Sequence, residues 1–184
     1  MDSTTKRIAI NYGLVVSAVA VGYTLVAYII NEAWLSSQGG GIIMLGAILL
    51  VPYFGVRDFR KSNDGFATFR EVFSVYMLPL ILSTLVGLAF NWLLHHVIDP
   101  KLAIRMGERV YERFAEMPED QRKGVMAFMG AANDAEFKAE SIKMTTEQVT
   151  ILGMLKSSGV GIIMYALVGL IVAAITKKNR PEFQ

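Results

Sequence analysis

Two stripes of small and polar residues are the parts of this sequence whose types and spacing could do chemistry. Pro79, Ser83, Gly87, Asn91 and His95 recur every four residues, and so do Gly153, Ser157, Gly161, Tyr165, Gly169 and Ala173. On a helix, a four-residue spacing gives one slowly drifting face. Inside a membrane, such a face lets helices approach closely, and Ser or Asn can hydrogen-bond across the contact. The plain reading of Ser83, Gly87, Asn91, His95, Gly153, Ser157 and Gly161 is helix packing. The sharper reading is a polar pathway or ligand groove. Lys156 lies among them and is a cation within an apolar stretch. A charge there marks function by default, but a turn and a half from the span end a lysine can also snorkel to the interface.

Other chemistries find little support. His95-His96 precedes Asp99, but adjacent histidines diverge by about 100° on a helix and no zinc spacing such as H-E-x-x-H occurs. A pH-sensing role is open to these histidines, since imidazole titrates near neutrality. No G-x-S-x-G, P-loop or strand-associated G-x-G-x-x-G is present. The expectation is a non-enzyme with no cofactor and no metal. The absence of cysteine excludes disulfides and thiolate sites, and a net charge of +2 gives no argument for nucleic acid.

The elements that must position these stripes are apolar and long. Hydrophobic residues make up 53% of the 184 and charged residues only 18%, against about 25% in soluble domains. Four stretches read as membrane spans: 8–30, 42–56, 72–98 and 151–176. The second is short unless Gly39–Gly41 extend it; the third is long enough to tilt or project. Ala18-Val19-Ala20 has the form of a cleavage site, but the apolar run continues to Ile30. That is too long for a signal peptide, and we read it as an uncleaved first span.

Basic residues orient the spans. Lys6 and Arg7 precede the first, Arg57, Arg60, Lys61 and Arg70 lie between the second and third, and Lys177, Lys178 and Arg180 follow the fourth. The 31–41 segment has none. The positive-inside rule then places both termini and the 57–70 connector in the cytoplasm and 99–150 on the outer, periplasmic face. Arg57 and Arg60 fall near the headgroups, where anionic lipids attract them.

The 99–150 segment holds eight Lys/Arg and ten Asp/Glu and reads as helical. Asp99-Pro100 is a helix start, a capping acid before proline at the first helical position. Ala103, Met106, Val110 and Phe114 form one face, with Arg105, Glu108, Glu112, Arg113 and Glu116 mostly elsewhere. Pro118 breaks the helix. "VMAFM" at 125–129 is a second apolar patch, and "NDAEFKAESIKM" leads toward the fourth span.

In the connector, Asp64-Gly65 reads as a turn, and Thr68-Phe69-Arg70-Glu71 as a capping box that starts the third span. With Gly55, Arg57, Gly65, Thr68 and Phe69 in these places, "FGVRDFRKSNDGFATFREVF" resembles a bacterial membrane-protein family known as domain of unknown function 4199. "NYGL" after the N-terminal basic residues, Asp99-Pro100 and the lysine-ended fourth span are similar as well. Asp64-Gly65 stands where that family often has two glycines. The resemblance implies a four-pass inner-membrane protein and no activity.

The expected architecture is therefore all-α: an integral membrane four-helix bundle over 1–98 and 151–184, with a helical extramembrane segment at 99–150. The expected role is an accessory, scaffold or assembly subunit in the lipid bilayer that binds a partner protein or lipid. The alternatives are a small homo-oligomeric transporter or channel and, third, a membrane sensor.

Overall fold

The computed structural model describes residues 3–36 and 38–180. In chain order they form α1 (Ser3–Ile30), a 3-10 turn (Glu32–Ser36), α2 (Gln38–Ser62), α3 (Phe69–Leu93), a π-helical turn (Leu94–Ile98), α4 (Leu102–Ala115), α5 (Glu119–Met129), α6 (Asp134–Gln148) and α7 (Ile151–Thr176). Among the described residues there is no strand element. The fold is all-α, and α1, α2, α3 with its π turn, and α7 are each long and apolar enough to cross a membrane.

Their surfaces show the solvent they are built for. Ile29, Ile42, Val160, Ile163 and Ile175 are all more than 60% exposed. Apolar patches on this scale are rare on soluble monomers. In lipid they cost nothing, and backbone polarity is satisfied inside each helix.

Helix α3 is the hub. It packs against α1, α2 and α7, whereas α7 rests mainly on α3 and, at one end, on α6. Close approach is made by small residues. A Cβ at Gly13 of α1 would lie 2.8 Å from Leu82 Cδ2 of α3, and one at Gly169 of α7 would lie 3.2 Å from the Tyr76 ring. Gly55 of α2 meets the Tyr12 ring in the same way. The buried core gathers where the chain turns from α2 to α3: Val56, Phe59, Ala67, Val72, Val75, Tyr76 and Leu80, with Ile8 and Ala173 from the neighbouring helices.

The second span differs from its sequence reading of 42–56. Helix α2 begins at Gln38, takes in Gly39–Gly41 and continues to Ser62. Its 25 residues rise about 37 Å, more than the roughly 30 Å of a hydrocarbon core. Arg57, Arg60 and Lys61 are therefore the helix's last turns rather than loop. The true loop is short and specified. Asp64 and Gly65 take positive φ (54° and 83°), and Thr68 caps α3 with a reciprocal box. Its Oγ1 accepts from Glu71 N at 3.4 Å while its own N donates to Glu71 Oε2 at 2.8 Å.

The 99–150 segment folds as a helical cap. Helix α4 crosses α6 so closely that a Cβ at Gly107 would fall 2.6 Å from Ile142 Cα. Phe114 stacks on Phe137 with centroids 3.9 Å apart. The buried face of α4 is Leu102, Ala103, Gly107 and Phe114, not the expected run through Val110, which is exposed. The contact centres on a glycine, which hydrophobic periodicity cannot see. The helix also starts at Leu102, after Lys101, rather than at Asp99-Pro100.

Candidate functional site

Two places at the cap end gather side chains that could bind something: an ion-paired hub and a groove beside it.

The hub shares the Asp99 carboxylate with the turn that leads into α4. That carboxylate accepts from Arg105 Nη1 at 3.2 Å and Nη2 at 2.5 Å, from the Tyr28 hydroxyl at 3.1 Å, and from Lys101 N at 3.2 Å. Arg105 also reaches Glu32, with Nη2 to Oε1 at 2.6 Å and Nε to Oε2 at 3.1 Å. Arg109 Nη2 lies 3.5 Å from Glu32 Oε2, and Arg113 Nη2 donates to the Ala33 carbonyl at 3.1 Å. One face of α4 is thus tied to the α1–α2 connection and to the end of α3. The Arg105 guanidinium holds the Asp99 carboxyl down at about 2, against burial, which opposes it. Glu32 is lowered mainly by the same guanidinium. Asp99 and Glu32 in turn push Arg105 further up.

The groove lies between α3 and α7, roofed by α4 and α6, with a volume of about 430 Å³. It unites much of the two stripes: Gly87, Asn91 and His95 on one wall, Ser157, Gly161 and Tyr165 on the other. Below it the same stripes close, Gly169 meeting Tyr76, Met77 and Phe73. Nothing lies within 4 Å of a Cβ placed at Gly87, so this glycine leaves space instead of filling a contact. Some polar groups of the wall are already used by their own helices. Asn91 Nδ2 donates to Gly87 O at 2.8 Å, and Thr84 Oγ1 to Leu80 O at 2.8 Å. Others have no protein partner among the described residues: the Ser157 and Ser158 hydroxyls, and the buried Nδ1 of His95.

Three members of the sequence-derived set lie elsewhere. Ser83 bonds back to Leu80 O at 2.9 Å and does not line the groove. Gly153 serves the turn from α6 into α7, where a Cβ would sit 2.0 Å from Glu147 O. Lys156 is exposed and lines an adjoining recess with Glu147 and Thr150, which meets the groove at Gln148 and Ser157. The two histidines diverge, His95 into the groove and His96 stacked on Trp92 at 5.6 Å. No group of three His, Cys, Asp or Glu able to hold a metal occurs among the described residues. Sequence reading missed the hub. Its members are far apart in the chain, and nothing in "NEAW" or "DPKLAIR" reveals that they meet.

At the opposite end, the connector cations Arg57, Lys61 and Arg70 are exposed, and Arg60 bonds the Gly65 carbonyl through Nε and Nη2 at 3.3 Å. The C-terminal tail is tied down there. Ala67 and Lys178 exchange backbone bonds of 2.9 and 2.8 Å, and Arg180 reaches Asn63 and Asp64.

A family model described as "Protein of unknown function (DUF4199)" matches residues 11–178, which take in most of α1, the other three apolar helices and the whole cap. The chain belongs to this family. No curated protein and no solved structure matches it.

Proposed function

We propose that this member of the DUF4199 family is a non-enzymatic accessory or assembly subunit of the bacterial inner membrane. In this reading a braced cap presents α5 to a partner protein. The observation that carries it is the contrast within the cap. Helices α4 and α6 are packed together and held to the spans by the Arg105 hub, whereas α5 contributes no buried residue and touches mainly α6. Phe128, in "VMAFM", is 90% exposed. An exposed apolar element on a rigid mount suits recognition. The orientation is supported by charge: Lys6, Arg7, Arg57, Arg60, Lys61, Arg70, Lys177, Lys178 and Arg180 all fall at the connector end, which the positive-inside rule makes cytoplasmic. The cap is then periplasmic. Replacing 119–129 by a flexible Gly/Ser linker should abolish co-purification of a stoichiometric partner in mild detergent and leave membrane insertion intact. Undiminished partner retention in that variant rejects the reading.

A second reading, a small homo-oligomeric transporter or channel, is favoured by the groove. Asn91→Leu with Ser157→Leu should then reduce flux in proteoliposomes. Unchanged flux would remove the groove as a pathway.

A further inference from the structure

We infer that the connector end carries a site for the phosphate of an anionic lipid headgroup, at the mouth of a cavity of about 230 Å³ between the last turns of α2, the Gly65 turn and the end of α7. Its lining includes Arg57, Arg60 and Lys61, at i, i+3 and i+4 on one helix face, and no carboxylate. The nearest acids are otherwise engaged. Asp58 accepts from the Tyr12 hydroxyl, and Asp64 pairs with Arg180 at 3.4 Å. Lys61 lies 4.0 Å from Asp58, with both side chains more than half exposed, so the pair is weak. Arg57 has no ion-pair partner among the described residues. Arg60 is oriented by its two bonds to the Gly65 carbonyl, which leave Nη1 free.

The wall is held before any ligand arrives. Gly65 N donates to Arg60 O at 2.7 Å, and Thr176 Oγ1 donates to Val172 O at 2.6 Å. The Thr176 hydroxyl has therefore spent its proton. The donors left for an oxyanion are the three cations and the Tyr53 hydroxyl. Guanidinium pairs and an ammonium match a phosphate through short, charge-assisted bonds.

A lipid is favoured over a free anion by what continues from the cavity. Leu50, Tyr53, Arg57 and Lys61 follow one face of α2, and Leu50 and Tyr53 are 57% and 42% exposed. This places an apolar path for an acyl chain directly below a cationic socket, at the depth where the long helix leaves the hydrocarbon. Basic pockets at such span ends suit anionic headgroups.

The test is native mass spectrometry of the full chain released from nanodiscs holding equal phosphatidylglycerol and phosphatidylcholine. The wild type should retain one phosphatidylglycerol per chain. Arg57→Gln with Lys61→Gln should lower that occupancy about ten-fold. Lys6→Gln with Arg7→Gln, which removes the same charge from the same end, should change it less than about two-fold. Equal loss in both pairs would mean a diffuse surface field and would overturn the site, as would no preference for phosphatidylglycerol in the wild type. Displacement of the lipid by millimolar inorganic phosphate would assign the socket to a free anion and overturn the lipid assignment.

Discussion

The two ends of this molecule are held by different forces. At the connector end, Val72, Val75, Tyr76 and Leu80 are fully buried among α1, α2 and α7, and backbone bonds between Ala67 and Lys178 fasten the tail. At the cap end α3 and α7 part around a groove, and the cap is fastened by charge through Arg105, Arg109, Glu32 and Asp99. In lipid there is little hydrophobic gain from bringing apolar helices together, so close packing must hold the first end. Outside the hydrocarbon, charged bonds become available. The chain has a fixed base and a cap whose attachment depends on a few side chains.

The cap is most vulnerable at Gly107. Gly107→Leu puts side-chain atoms where the Ile142 backbone lies, so α4 and α6 must separate. Overpacking of this kind costs about 3 kcal/mol. Limited proteolysis should then cut within 101–150 while the spans stay protected. Cleavage spread equally through the connector would show that cap and base are one cooperative unit.

Arg105→Ala should have the next largest effect, about 2 kcal/mol on cap docking, because two carboxylates lose their shared partner. Hydrogen exchange should accelerate in α4 and the 3-10 turn and not in α2–α3 near the loop. Acid acts on the same bonds. Asp99 titrates at about 2 instead of near 3.8, and Glu32 is also lowered. Carboxyls depressed in the folded state stabilise it fully above their ordinary values, and that contribution drains away as pH falls through 4 toward 2. Protection factors in α4, corrected for the intrinsic slowing of amide exchange in acid, should fall across that window in the wild type and much less in Arg105→Ala. The Ala67–Lys178 pairing contains no titrating group and should not follow it. An unchanged acid response in the variant would separate the pH effect from the hub.

The base was more legible in the sequence than the cap, for a physical reason. Spans are specified by long apolar runs, and the turn into α3 by Thr68, Glu71 and Asp64-Gly65, all within eight residues of one another. Local signals of that kind are readable. Helix α2 ran past its apolar stretch because Arg57, Asp58, Arg60 and Lys61 can continue a helix into the interface, where hydropathy stops marking it. The groove was half visible as two four-residue stripes, but Lys156, Ser83 and Gly153 belong to other surroundings. The hub was invisible, since Glu32 and Arg105 are 73 residues apart.

The base can be probed where its sequence signal is strongest. Thr68→Ala removes the hydroxyl half of the capping box, the acceptor for Glu71 N, while the backbone N–H of residue 68 can still donate to Glu71, and should cost about 1 kcal/mol. The loss should appear as faster exchange at the first turn of α3, with α4 unaffected. A matching change in the cap would mean that α3 transmits strain along its whole length, and the two ends would no longer be independent.

The smallest effect on stability should come from Phe128→Ser. The ring is almost wholly exposed, and α5 buries none of its residues, so the folded chain should change by less than about 0.5 kcal/mol. That near-neutrality is what makes the variant informative. If α5 is the recognition element, partner co-purification should fall sharply while the melting temperature, the proteolysis pattern and the exchange of α4 and α6 stay at wild-type values. Arg105→Ala makes the converse case: it loosens the mount and leaves the contact surface chemically intact, so partner capture should weaken only in step with cap docking. Loss of capture in Arg105→Ala but not in Phe128→Ser would move the recognition surface from α5 to the face of α4 beside the hub.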